Sequence, residues 1–166
     1  MAFKSKPVIL AAAVMFLASP SGRVAGQSGA QQRVTPGEVK WPATGSSLVG
    51  TSGVSGIQTV IVKGDPTKPG LYALLLRVGP NTRIEAHAHP DDRVATVVSG
   101  TWYFGYGNQF DEQALKALPP GSFYTEPPNV SHFAMTKGDG VVIQISGTGP
   151  SGTTYVDPRN DPARKR

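Results

Sequence analysis

Between residues 56 and 146 the chain is cut into short apolar runs by glycine, proline and asparagine at regular intervals. Short strands with turn chemistry between them indicate an all-β barrel or sandwich. Residues 57–63 (IQTVIVK) read as a strand, broken by Gly64-Asp65-Pro66, with Lys68-Pro69-Gly70 as a second turn signal. Residues 71–78 (LYALLLRV) read as the next, ended by Gly79-Pro80-Asn81. Residues 94–98 and 101–106 flank Ser99-Gly100, a hairpin signal. Residues 122–125, 130–135 and 141–146 complete the set. Residues 110–118 (FDEQALKAL) depart from this pattern, because Phe110, Ala114 and Leu118 stand at helical spacing. They predict one or two helical turns before Pro119-Pro120-Gly121. No internal repeat suggests a solenoid.

Within this β pattern the histidines are concentrated. The chain has three histidines and no cysteine. His87 and His89 lie in IEAHAHPDD, and His132 lies in EPPNVSHFAM. Residues 83–89 alternate strictly, which predicts Ile84, Ala86 and Ala88 on one face and Arg83, Glu85, His87 and His89 on the other. A His-x-His pair on a strand thus presents two imidazoles side by side, and a third from a distant strand can close a metal site.

The ends of the chain read differently. Residues 1–26 follow the order of a signal peptide: Lys4 and Lys6, then the apolar run PVILAAAVMFLA, then small residues. The run is short for a transmembrane span. The expectation is a periplasmic or secreted protein with no stable membrane span after processing. Residues 27–50 are rich in Gly, Ser, Thr and Pro and read as an N-terminal arm. Trp41 is its exception, either anchoring the arm on the barrel or on a second subunit, or belonging to the core. Residues 51–156 form the expected barrel and residues 157–166 a basic tail. The formal net charge of +5 comes from the ends. From residue 27 to residue 158 there are nine Lys or Arg and ten Asp or Glu, and no basic stripe interleaved with aromatics. Nucleic acid is therefore not an expected partner.

The two histidine blocks resemble the paired motifs of the cupin superfamily. The first reads Gly79…His87-x-His89-x-x-x-Arg93…Gly100, and the second Gly121…Pro127-Pro128-Asn129-Val130-Ser131-His132. The segments GDPTKPG, SGTWYFGYG, LPPGSFYTEPP and GTGPSGTTYVDP look like those of small, exported, single-domain bacterial cupins. The resemblance spans residues 41–162. It implies a single-domain jelly-roll barrel (a double-stranded β-helix) with a divalent transition metal near its mouth, and frequently a homodimer. It also implies that the two histidines of the first motif, its Glu, and the histidine of the second motif hold the ion. His87, His89 and His132 match that set. Arg93 stands at the Glu position, and Asn129 at a Gly position whose left-handed backbone asparagine tolerates.

A guanidinium has donors and no acceptor, so Arg93 cannot ligate a metal. Three arrangements remain open. The imidazoles hold the ion alone, with positions left for water or substrate. Or Asp91, Asp92 or Glu85 supplies an oxygen ligand. Or the site binds metal weakly, because an anionic ligand is lost and a cation is gained. Arg93 would either fork onto an anionic substrate at the metal or pair with Asp91 or Asp92 at the barrel lip. Glu85 is the candidate general base. Gln144, which interrupts VVIQIS, and Tyr103, from an aromatic strand of which alternate members enter the barrel, are candidates for the pocket lining. Fe, Mn, Ni, Zn or Cu would suit an imidazole site. Three functions follow: a metal-dependent oxygenase, isomerase or lyase acting on a small, anionic molecule; a small-molecule or metal binding protein without turnover; or an inert scaffold that dimerises through its barrel sheets, with Trp41 and the arm at the interface.

Overall fold

The computed structural model describes residues 1, 31–43, 45 and 48–165. The signal-peptide reading of residues 1–26 falls, Met1 aside, outside the described residues, as does Arg166 of the tail. The chain divides into two units, Met1–Gln32 and Arg33–Arg166, and every strand among the described residues belongs to the second.

The strands are β1 (Gln58–Lys63), β2 (Gly70–Val78), β3 (Arg83–Ala88), β4 (Arg93–Ser99), β5 (Trp102–Tyr106), β6 (Lys116–Leu118), β7 (Phe123–Glu126), β8 (His132–Met135), β9 (Val141–Gly149) and β10 (Thr154–Tyr155). They form two five-stranded antiparallel sheets, in the orders β1-β2-β9-β4-β7 and β10-β3-β8-β5-β6. This is the all-β architecture expected from the turn punctuation, in the jelly-roll form that the resemblance implies.

Period-two burial builds the core. In β9, Val141, Ile143 and Ile145 turn inward, and Gln144 between them is exposed. Leu76 and Val78 of β2, and Ala95 and Val97 of β4, meet Ile84, Trp102, Phe104 and Ala134 from the other sheet. Each fully buried aliphatic or aromatic side chain contributes about 1.5–3 kcal/mol relative to exposure.

The helical expectation at residues 110–118 holds for a single 3-10 turn, Glu112–Ala114, capped by the Asp111 carboxylate accepting from the Gln113 N–H at 2.9 Å. Two residues on, Lys116–Leu118 pairs with β5 and buries Leu118. One turn has little helical cooperativity, and the edge of β5 offers a full set of backbone partners.

The arm is part of the second unit from Arg33 onward. Trp41 is half-buried, with the Arg77 guanidinium 4.1 Å from its ring centroid. Val34 and Trp41 line one groove with Leu75, Val98 and Val142 on the outer face of the first sheet. Trp41 thus anchors the arm on the barrel instead of entering the core. Gly50, Thr51 and Ser52, on either side of the expected arm boundary, close one end of the barrel. The Gly50 carbonyl accepts from Arg93, the Thr51 carbonyl from Thr153 at 2.8 Å, and the Ser52 carbonyl from the Tyr155 hydroxyl at 2.6 Å. No helix among the described residues is long and apolar enough to cross a membrane.

Candidate metal centre

Strands β3 and β8 bring His87 and His132 together as directly opposed residues. The pairing slips between Ile84 and His87, a bulge of the kind that re-aims side chains beside functional sites. Strict alternation therefore fails within β3. Ile84 faces the interior before the bulge, and His87 and His89 face it afterwards. His89 lies just past the strand, where its carbonyl accepts from the Asn129 N–H at 2.7 Å. Asn129 has φ of 59°, the left-handed conformation expected of it, and the turn leads into His132.

One donor nitrogen from each imidazole lies within 4.8 Å of the other two, and all three residues are buried. The outer nitrogens meet backbone carbonyls: His87 Nδ1 to Glu85 at 2.7 Å, His89 Nδ1 to Gly152 at 2.6 Å, and His132 Nδ1 to Val130 at 3.1 Å. A carbonyl only accepts, so each Nδ1 carries the proton and each Nε2 keeps its lone pair. The Nε2 atoms of His89 and His132 are buried without a hydrogen-bond partner. Burial, followed by the neighbouring His132, draws His87 down to about 3. Burial draws His132 to about 4. Burial and then the Arg93 charge push His89 further down still. Neutral, oriented imidazoles with unmatched inward lone pairs suit a transition-metal ion. The cavity before them has about 40 Å³ of free volume, between side chains such as Ile57, Leu76, Trp102, Phe104 and Ile143. That is room for on the order of three water-sized bodies.

Sequence reasoning missed Glu126. It ends β7 directly opposite Arg93 of β4, and only 4% of its surface is exposed. Its Oε1 lies 3.7 Å from His132 Nε2 and its Oε2 3.8 Å from His89 Nε2. Arg93 donates to Oε2 through Nε at 2.6 Å and also through Nη2, while Nη1 donates to the Gly50 carbonyl. Burial works against the Arg93 charge, but Glu126 and Tyr72 together outweigh it, and the net shift is upward. In the burial pattern of β7, Glu126 shares an inward face with Tyr124.

Other expectations need correction. Glu85 does not share the histidine face, because the bulge turns it outward to an ion pair with Arg83 at 2.6 Å. Arg93 pairs with neither Asp91 nor Asp92, and its fork is taken up by Glu126 instead of being held out to a substrate. Asp91 accepts from the Tyr72 hydroxyl at 2.5 Å and from Ser151 at 2.7 Å, and Asp92 is exposed. Neither Gln144 nor Tyr103 lines the cavity. Gln144 is on the exposed face of β9, and Tyr103 faces outward beneath the Lys137 ammonium, 4.6 Å from its ring centroid. Trp102 and Phe104 are the members of that aromatic strand that enter.

No family model and no curated protein matches the chain. Solved structures do. A chain from the crystal structures of the DMSP lyases RdDddP and RnDddQII matches with a TM-score of 0.51 at 23% identity, over 68% of this chain and 57% of that one. This chain thus spans little more than half the length of that lyase structure. KdgF from Halomonas sp. matches with a TM-score of 0.51 at 21% identity, over 72% of this chain and 94% of the other. An RmlC-like cupin from Shewanella frigidimarina matches with a TM-score of 0.50 at 17% identity, over 71% and 90%. At such identities the likeness establishes the fold.

Proposed function

We propose that this chain, a cupin by fold, binds one divalent transition-metal ion through His87, His89 and His132 and acts with it on a small oxygenated molecule, as a lyase, isomerase or oxygenase. The observation that carries this reading is the pair of buried, unpartnered Nε2 atoms on His89 and His132. Leaving a buried polar atom unmatched costs about 1–3 kcal/mol, and an ion at the cluster would remove that cost. When bound, the metal supplies a Lewis acid that polarises a coordinated oxygen or acidifies a water. The protein's part is to fix the imidazoles by backbone carbonyls and to surround the open side with Trp102, Phe104 and Ile143, which exclude bulk water. The lyase named among the structural neighbours lends precedent for lyase chemistry on this fold, not a substrate.

Two observations favour the second reading, a binder without turnover. The cavity is small, and with Glu85 outside it the expected general base is missing. The experiment has two stages. Elemental analysis of protein purified without chelator is expected to find one equivalent of Fe, Mn, Ni, Zn or Cu, lost in His132→Ala with the circular dichroism spectrum unchanged. Equal metal content in wild type and variant sinks the proposal. Oxygen uptake and elimination assays on loaded protein then separate enzyme from binder. Export through residues 1–26 and dimer formation belong to the same reading, checked by N-terminal sequencing from an exporting host and by light scattering.

A further inference from the structure

Three neutral imidazoles cancel none of the charge on a divalent ion, and a buried, uncompensated charge is costly. The cluster therefore calls for an anion. On β4, the side chain facing the histidines is Arg93, which cannot serve. Directly across the strand pair stands Glu126, whose carboxylate oxygens lie 3.7 and 3.8 Å from two of the inward Nε2 atoms. Ligand atoms about 2.1 Å from a common ion sit about 3.0–3.4 Å apart. Glu126 is thus within a few tenths of an ångström of a shared coordination sphere with His89 and His132. Those two nitrogens, with side chains 1% and 2% exposed, are the polar atoms aimed at the same point without a partner.

Arg93 explains the presentation of that carboxylate. Nε and Nη2 both donate to Oε2, and Nη1 is tied to the Gly50 carbonyl. The guanidinium is held in place by the loop closing the barrel end, and it in turn fixes one carboxylate oxygen. Oε1, the oxygen nearer His132, faces the histidine side without an Arg93 bond.

We infer that Glu126 is the fourth ligand of this centre, offered through Oε1 from β7, and that Arg93 is its positioning residue, the acidic and basic members of the site having exchanged strands. This rests on the metal-binding reading above. A consequence is that the Arg93 cation shares the charge of the carboxylate. The ion is then held less tightly, and is more acidic, than with an unshared glutamate.

The test uses full-length protein stripped with chelator and titrated with Zn²⁺ by calorimetry and with Co²⁺ by visible absorption. Glu126→Gln is expected to raise the metal Kd about 10–100-fold and to alter the Co²⁺ bands. Because that variant leaves Arg93 buried without its partner, the double variant R93Q/E126Q, which removes both charges, keeps the test valid if the single one misfolds. The same loss is expected there. R93E/E126Q, which returns a carboxylate to β4, is expected to recover most of the affinity. Arg93→Lys, which keeps the charge but not the fork, is expected to shift the Co²⁺ bands. If R93Q/E126Q binds with wild-type Kd and Co²⁺ spectrum while His132→Ala does not bind, Glu126 is not a ligand and only the metal-binding reading stands. If wild type binds neither ion, both fall.

Discussion

Arg93 and Glu126 oppose one another across β4 and β7 at 3% and 4% exposure, a buried ion pair linking two strands of one sheet. Removing one member strands the other charge in a low-dielectric interior. Glu126→Ala in metal-stripped protein is expected to cost about 3–5 kcal/mol, read by urea denaturation. Replacing both with apolar residues, as R93M/E126L, is expected to cost less than the sum of the single changes. Additive losses in the double-mutant cycle would show that the two side chains do not form a coupled pair.

Gly147 makes a second prediction, about the support behind that pair. It sits in β9 with Tyr72 of β2 and Arg93 of β4 as its partners on either side. A Cβ there would lie 2.7 Å from the Tyr72 hydroxyl oxygen and 2.9 Å from Asp91 Oδ2. The Tyr72–Asp91 hydrogen bond would have to move. Gly147→Ala is expected to lose about 1–3 kcal/mol by overpacking. Gly152→Ala is the control, since its new methyl would meet only Pro90 ring carbons at 3.7 Å, and it is expected to stay within about 0.5 kcal/mol of wild type. Equal thermal stability for the two variants would remove the steric argument.

The uneven legibility of this site has a physical basis. His87, His89 and His132 could be read from the chain because their spacing and turn chemistry are local. The strands followed for the same reason, since each is bounded by its own turn residues. Glu126 could not be read so, because it becomes a site residue only through its register opposite Arg93, a relation set by sheet pairing. Glu85 leaves the face that strict alternation predicts, because alternation assumes an unbroken ladder and the bulge after Ile84 breaks it. β6 was hidden because it exists only as the partner of the β5 edge. Gln144 differs again: its polarity within VVIQIS marks the solvent face of β9 and not the cavity.

Burial of the histidines makes metal-free stability depend on pH. In an unfolded chain the three imidazoles titrate near 6.5, whereas in the fold His87 and His132 are lowered to about 3 and about 4, and His89 lower still. Between those limits the unfolded chain binds more protons. The contribution is therefore complete above about pH 6.5 and declines as pH falls through the folded values, by up to about 1.4 kcal/mol per pH unit for each histidine. The urea midpoint of stripped protein is expected to fall steadily from pH 7 to pH 4, and His89→Gln is expected to flatten that slope. A midpoint unchanged over this range would mean that the imidazoles are not buried in their neutral form.

Metal removal supplies the last prediction, which links the orphaned nitrogens to the stability of the whole barrel. His87 and His132 tie β3 to β8, His89 follows β3 directly, and Glu126 ends β7 in the opposite sheet. An ion held by all four would join the two sheets at one end of the barrel and would bind only the folded chain, since unfolding scatters its ligands. At a free metal concentration of 100 times Kd, linkage adds about 2.7 kcal/mol to stability, visible as a rise in Tm that chelator reverses. The histidine variants should lose that rise altogether, and Glu126→Gln should need a higher metal concentration to reach it. A surface-adsorbed ion would behave otherwise, leaving the Tm of wild type and His132→Ala equally shifted, because neither the closed sheets nor the buried lone pairs would then be involved.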